Sequence, residues 1–251
     1  MNLLSIKDKV CIVTGANTGI GQGIAIGFVK AGAKVLGVGR SSMDDTIAKV
    51  KGMDGEFVPF MADLGTTEKI EDIIQTAKST FGKIDVLVNN AGIIRRDDAI
   101  DFTEKDWDDV MNINTKTLFF LSQAVARVYI EQGTGGKIIN IASMLSYQGG
   151  IRVPAYTTSK SGVLGLTRAL ANEWAKHKIN VNAIAPGYIV TNNTAALVSD
   201  KARYESILER IPAGRWGQPE DLAGSAIFLA SDASNYVHGF TLAVDGGWLA
   251  R

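Results

Sequence analysis

Short apolar runs rich in β-branched residues alternate along this chain with longer stretches whose apolar residues recur at helical spacing. No other feature of the sequence narrows the fold as much. The runs are KVCIVTG, AKVLGVG, EFVPFMAD, IDVLVNN, GKIINIAS, INVNAIAPG and FTLAVDGG. Each reads as a strand, with Pro59 a weak point in the third, because proline cannot donate to a ladder. Between them lie segments such as TEKIEDIIQTAKSTFG, where Ile70, Ile73, Ile74 and Ala77 share one helical face. Strands separated by helices form βαβ units and a parallel sheet. Runs that are apolar throughout suit a sheet covered on both faces. The expectation is an α/β fold, doubly wound, with a seven-stranded parallel sheet and helices on both faces. Residues 1–251 are expected to form one domain, since no linker, low-complexity tract or repeat divides them. The stretch from about Tyr188 to Trp216 shows little strand character and follows the C-terminal end of a strand, where open α/β sheets bind ligands. A mobile, helical substrate lid is expected over 188–216.

Charge excludes whole classes of partner. Lys plus Arg and Asp plus Glu are 26 each, so no global field draws the chain to nucleic acid or to an anionic membrane. The one cysteine, Cys11, lies in an apolar run and reads as a small core residue. His177 and His238 stand apart from other ligating residues, so no metal site is expected. The opening MNLLSIKDK is too short and polar for a secretory segment, and no run approaches the roughly 18 apolar residues of a membrane span. A soluble, cytoplasmic protein is expected.

The first strand runs into Thr14-Gly15-Ala16-Asn17-Thr18-Gly19-Ile20-Gly21. Glycines there let the backbone turn tightly, so that a pyrophosphate can approach the free N–H groups at a helix N-terminus. The spacing is GxxxGxG rather than GxGxxG. After the second strand, where an acidic residue would hold a ribose 2′-OH, the chain has Gly39-Arg40-Ser41-Ser42. Arg40 can pair with a 2′-phosphate or stack on adenine. Asp63, followed by Leu64, is placed to accept from an adenine amino group, and Asn89-Asn90-Ala91-Gly92 offers small residues against a ribose. Tyr156 and Lys160 are spaced i, i+4 and share a helical face. A neighbouring ammonium favours the phenolate. Ser143 ends the fifth strand, with its hydroxyl available to a carbonyl developing negative charge. Asn114 sits in a helical stretch, where asparagine invites local distortion.

In this order, TGxxxGIG, NNAG, Asn114, Ser143, YxxxK, Pro186-Gly187 and VDGG at 244–247 resemble the short-chain dehydrogenase/reductase family from end to end. The resemblance implies a single-domain Rossmann-type fold and a nicotinamide cofactor. It implies a tetrad in which Ser143 polarises a carbonyl, Tyr156 moves the proton, Lys160 lowers the tyrosine pKa and holds the nicotinamide ribose, and Asn114 anchors a water leading from Lys160 to solvent. Cofactor contacts are then expected at Gly15, Asn17, Thr18, Gly19, Ile20, Arg40, Asp63, Leu64, Asn90, Ala91, Gly92, Tyr156 and Lys160, and at Pro186, Gly187, Ile189 and Thr191 beside the carboxamide. A homotetramer is implied as well.

The wider strings NNAGIIRRDDA, IASMLSYQGGIRVPAY, PGYIVTNNT, RIPAGRWG and VDGGWLAR resemble the 2-dehydro-3-deoxy-D-gluconate 5-dehydrogenases, a group of bacterial enzymes of pectin and uronate breakdown. That implies a keto or hydroxy sugar acid as substrate and NAD(H) as cofactor, with NADP(H) left open by Gly39-Arg40. Arg95 and Arg152 are the arginines expected to bind the substrate carboxylate, alongside Ser143 and Tyr156 at the reacting carbon, because guanidinium pairs carboxylate bidentately. Two other readings compete: a 3-oxoacyl-carrier-protein reductase with the same tetrad, and a non-catalytic cofactor-sensing regulator, which a complete tetrad disfavours.

Overall fold

The computed structural model describes residues 2–251. Its centre is a parallel sheet of seven strands in the order β3-β2-β1-β4-β5-β6-β7. The strands are β1 (Val10–Thr14), β2 (Lys34–Gly39), β3 (Glu56–Met61), β4 (Val86–Asn89), β5 (Gly136–Ile141), β6 (Ile179–Pro186) and β7 (Thr241–Val244). The order reverses between β1 and β4, so the connections diverge there and leave a crevice at the strands' C-terminal ends. Pro59 is accommodated because β3 is an edge strand, opposite Gly37 of β2.

The helices are α1 (Gly19–Lys30), α2 (Asp44–Val50), α3 (Ile70–Phe81), α4 (Glu104–Met111), α5 (Leu118–Gln132), α6 (Pro154–Trp174), α7 (Ala195–Ser199), α8 (Lys201–Leu208) and α9 (Ala223–Ala230). Two apolar layers flank the sheet. One joins α1 and α9 to β1, β2 and β4 through Ile24, Phe28, Val13, Val35 and Leu229. The other joins α3 and α5 to the opposite face through Ile73, Ala77, Leu121, Val125 and Ile138. Ile70, Ile73, Ile74 and Ala77 are all buried, as their spacing predicts. Helix α2 has no counterpart among the sequence expectations. It is seven residues long, and Gln22 of α1 tethers it by donating to Asp45 and Thr46 (2.9 and 2.8 Å). Among the described residues no helix is long and apolar enough to cross a membrane.

One threonine draws the crevice together. Thr14 Oγ1 at the end of β1 accepts from the backbone N–H groups of Asn90 and Ala91, both at 2.9 Å, and donates to Val88 O at 3.3 Å. Asn90 Nδ2 returns a bond to Thr14 O at 2.8 Å. The loop after β1 and the loop after β4 are thereby fixed edge to edge. Thr14→Val, equal in shape but without the acceptor, is expected to lower stability in urea by about 1–3 kcal/mol for each N–H left unpaired, and Thr14→Ser to restore it.

Two glycines supply a matched test of packing. A Cβ on Gly23 of α1 would come within 2.7 Å of the Pro219 carbonyl, whereas one on Gly224 of α9 meets nothing within 4 Å. Gly23→Ala is therefore expected to destabilise by about 1–3 kcal/mol through overpacking. Gly224→Ala is expected to stabilise by about 0.4–1 kcal/mol by restricting the unfolded chain. Thermal or urea unfolding of the two variants reads both signs.

Candidate functional site

Where the sheet order reverses, a cleft of about 320 Å³ opens along the C-terminal ends of β1, β2 and β4. Its walls include Gly15, Asn17, Thr18, Gly19, Ile20, Arg40, Asp63, Leu64, Asn90, Ala91, Gly92, Tyr156, Lys160 and Thr191, which are fourteen of the expected cofactor contacts. The floor is shaped by missing side chains. Gly15 and Gly19 hold φ of 69° and 58°, in the left-handed region that favours glycine. A Cβ at Gly15 would meet Asn90 Nδ2 at 2.6 Å. Helix α1 begins at this floor. Its N-cap Thr18 makes no side-chain cap, and its first turn carries no acidic residue. The uncapped N–H groups and the positive end of the helix dipole therefore remain for an anion, which fits the pyrophosphate of a dinucleotide. At the far end, Asn17 Nδ2 donates to Ser41 Oγ at 2.9 Å beside Gly39 and Arg40, with no carboxylate among those four residues.

Pro186, Gly187 and Ile189 do not line the cleft. Gly187 N donates to Val244 O at 3.1 Å, and the Ile189 side chain is buried in the α1–α9 apolar layer. These residues back the wall from behind. The carbonyl of Ile189 accepts from Thr194 Oγ1 at 2.7 Å and so sets the path of Thr191 and Asn192, which do reach the cleft. Gly39 and Ser41, which flank Arg40, line the cleft as well, and sequence reasoning missed Ala62, Ile93, Ile113, Ile141, Asn192 and Asn193. Their positions as neighbours of matched motif residues were the only signal for them.

The four tetrad positions converge at one end of the cleft. Ser143, buried, caps a short 3₁₀ turn by accepting from Leu145 N at 3.1 Å. The Tyr156 phenol is pushed up by burial and pulled down by the Ser143 hydroxyl and by the positive charge of Arg96. Lys160 Nζ lies 5.7 Å from the Tyr156 ring centre and donates to Ile141 O at 2.6 Å. Burial pushes that ammonium down to about 8. The Ser143 hydrogen bond and the Arg96 charge favour the phenolate. Asn114 does distort its helix: residues Asn112–Thr117 form a π-turn between α4 and α5. Its side chain is fully engaged, accepting from Ile93 N at 2.9 Å and donating to Ile93 O and to Ser159 Oγ, each at 3.0 Å. Ser159 Oγ in turn donates to Tyr156 O at 2.8 Å. A relay water at this residue is left only the main-chain carbonyl, and the side chain instead holds the loop after NNAG against α6.

The arginines sort themselves by partner. Arg95 pairs with Asp106 and Asp109 of α4 at 3.2 and 3.5 Å. Arg152 pairs with Asp98 and Asp97 at 2.9 and 3.6 Å, on a residue whose φ is 63°. Arg215 is bidentate to Asp221 at 2.7 and 2.9 Å. The expected carboxylate ligands, Arg95 and Arg152, thus have carboxylates of the chain's own on them, because both project along the outer loops toward acidic side chains. Arg96 has none. Its Nη2 donates to Asn193 O at 2.8 Å across the mouth of the site, and its charge reaches Tyr156.

Taken together, a dinucleotide-shaped cleft ends at a phenol flanked by a serine hydroxyl and a buried amine, with the charge of Arg96 acting on it from the mouth of the site. Such a set can move a proton to or from an oxygen while an adjacent cofactor handles a hydride. Comparison with known proteins agrees. A family model described as Enoyl-(Acyl carrier protein) reductase matches residues 15–249. The chain is 59% identical over 251 residues, covering 100% of itself and 99% of the relative, to a 2-dehydro-3-deoxy-D-gluconate 5-dehydrogenase of Dickeya dadantii. It is 39% identical to a 3-oxoacyl-[acyl-carrier-protein] reductase of Thermotoga maritima, over 97% of this chain and 99% of that one. Among solved structures it matches, at 53% identity, a TM-score of 0.94 and 100% coverage of both chains, an Agrobacterium tumefaciens protein provisionally described as a 2-deoxy-D-gluconate 3-dehydrogenase with bound NADP. The chain belongs to the short-chain dehydrogenase/reductase family and is an NAD(P)-dependent oxidoreductase.

Proposed function

We propose that this chain interconverts 2,5-didehydro-3-deoxy-D-gluconate and 2-dehydro-3-deoxy-D-gluconate, oxidises 2-deoxy-D-gluconate, and serves the breakdown of pectin-derived uronates in the cytoplasm. The observation that carries the reading to a sugar acid is Arg96, a guanidinium with no carboxylate partner among the described residues, held at the mouth of the site by Asn193 O and acting by its charge on the phenol. It replaces Arg95 and Arg152 as the ligand for the substrate carboxylate. The names of the relatives at 59% and 53% identity support the same substrate class, and the carrier-protein reductase lies further off at 39%.

The bound nicotinamide supplies or accepts the hydride. In ketone reduction the Tyr156 hydroxyl gives its proton to the carbonyl oxygen, while the Ser143 hydroxyl donates to that oxygen as charge develops. In alcohol oxidation the phenolate takes the hydroxyl proton. Lys160, with a pKa near 8, exchanges protons close to working pH and refills or drains the tyrosine. Arg96 orients the acid so that one carbon faces Tyr156. The 188–216 segment serves as the lid. The exposed Trp107, Phe120 and Ile130 on α4 and α5 support assembly as a homotetramer. Asn17, Arg40 and Ser41, with no carboxylate to repel a 2′-phosphate, support use of NADP(H) beside NAD(H).

Tyr156→Phe is expected to lower turnover by roughly 10²–10⁴-fold with cofactor affinity kept, since only the transferable proton is lost. Near-parental turnover in a stopped-flow assay at 340 nm would overturn the assignment. Arg96→Met is expected to cost roughly a hundredfold in kcat/KM on the sugar acid, the worth of a charge-assisted pair, and to spare a neutral diketone. Equal losses on both substrates would remove Arg96 from carboxylate binding. Its charge also holds the Tyr156 pKa down, so its loss raises that pKa. Oxidation needs the phenolate, so its rise with pH must move to higher pH in Arg96→Met and stay in place in Arg96→Lys. The pH–rate profiles on the neutral substrate isolate this effect.

A further inference from the structure

Beyond β7 the chain turns back on itself and enters the lid from below. The turn is made at Gly246 and Gly247, with φ of 65° and 89°. It is locked by the Asp245 carboxylate, which accepts from Gly247 N and Leu249 N, both at 2.9 Å. This delivers Trp248 into an apolar cluster that contains Met144, the residue after Ser143, together with Ile207, Ile211 and Trp216 of the lid. The indole is 5% exposed. Its ring meets Tyr188 edge-on at 4.9 Å, and the Arg210 guanidinium lies 4.2 Å over its face. The column continues upward, with Tyr188 5.2 Å from Trp216 and Trp216 stacked on Tyr204 at 5.1 Å. Arg251 closes the turn by donating to the carbonyls of Glu209 and Arg210 just past α8, at 3.4 and 3.5 Å.

The lid's other ties are short polar ones, such as Arg96 to Asn193 O and Asn192 to Thr18. Its helices α7 and α8 are five and eight residues long, too short to persist without tertiary packing. At its root, between Ile211, Ala213 and Asp245, lies a cavity of about 180 Å³ rather than packed side chains. Of the four aromatic rings in the column, Tyr188, Tyr204 and Trp216 belong to the lid itself. Trp248 alone comes from outside it.

We propose that Trp248 is a positioning residue of the reaction. The segment Trp248–Arg251 anchors the lid at the height at which Asn193 meets Arg96 and Met144 is covered beside Ser143. Most of the cofactor cleft is built by the loops after β1, β2, β3 and β4, and the lid adds only Thr191, Asn192 and Asn193 to it, so cofactor binding depends on this anchor far less than the substrate does. The inference rests on the 188–216 segment being a lid, but not on which sugar acid is bound.

Three readouts test it on Trp248→Ala, Trp248→Phe and Arg210→Met: cofactor affinity by nicotinamide fluorescence, KM and kcat on 2-deoxy-D-gluconate, and the rate of tryptic cleavage at Lys201, Arg203 and Arg210, the last scored only where that arginine is kept. Trp248→Ala is expected to raise KM by about tenfold or more, the effect of about 1.4 kcal/mol, with cofactor affinity within about twofold of the parent. It should also speed cleavage in the lid, and Trp248→Phe should restore both. A folded Trp248→Ala protein with parental KM and parental cleavage overturns the proposal. So does an equal loss of cofactor binding, which would mean a general structural role. If Trp248→Ala does not fold, Arg210→Met removes only the cation over the ring, and it must show the same changes at smaller size. Cleavage needs no turnover. An enzyme inactive on sugar acids would therefore count against the substrate reading, while the cleavage rates would still decide the role of Trp248.

Discussion

The site depends on the side-chain bonds of Asn114. One amide accepts from Ile93 N and donates both to Ile93 O and to Ser159. It thereby joins three pieces apart in sequence: the loop after β4, the π-turn between α4 and α5, and the first turns of α6. Asn114 lies within the π-turn at Asn112–Thr117, in keeping with the concentration of such bulges at functional sites. Because Ser159 passes the constraint to the carbonyl of Tyr156, the phenol's position follows from a residue 42 places earlier. A buried amide with both donors and its acceptor paired has its desolvation cost offset by those bonds, and removing it would strand partners on both sides.

Given that frame, burial and charge divide the proton chemistry. Burial disfavours the charged form of every group, so it pushes the Tyr156 phenol up and the Lys160 ammonium down to about 8. The two shifts move the phenol and the ammonium apart from unperturbed values that are nearly equal. Proton transfer from the Lys160 ammonium to the Tyr156 phenolate is thereby made downhill, and the reverse transfer uphill. Lys137 shows that burial alone does not make a site. It too is pushed down to about 8, yet it sits at the opposite end of the strands, donating to the neutral oxygens of Asn180 and Asn235 at 3.0 and 2.7 Å. Its bond to Asn235 holds the loop that feeds β7.

The sheet, its covered faces and the phosphate loop were legible because each rests on local chemistry. Strands buried on both faces must be apolar throughout, as KVCIV and INVNAIA are. A phosphate needs a glycine turn ahead of a free helix end. Tyr156 and Lys160 could be paired because i, i+4 spacing is a property of one helix. Helix α2 was not legible, since its polar stretch DDTIAKV is stabilised by Gln22 reaching across from α1. Ile189 shows the limit of reading a position by its neighbours: its side chain packs in the core layer behind the cleft, while Thr191 and Asn192 reach the cleft itself.

The arginines show where local reading stops. Arg95 and Arg96 are adjacent and chemically identical, and no pattern in the sequence separates them. What separates them is the direction each takes from the loop. Arg95 folds back to the aspartates of α4, and Arg96 crosses to Asn193 on the far wall. A guanidinium already paired with carboxylates offers a substrate acid little, because the new bond must replace an existing one of equal kind. One held by a single carbonyl can exchange that neutral acceptor for a charged one and gain by the difference. The same exchange would release Asn193, so binding of the acid and the position of the 188–216 segment are linked through one side chain.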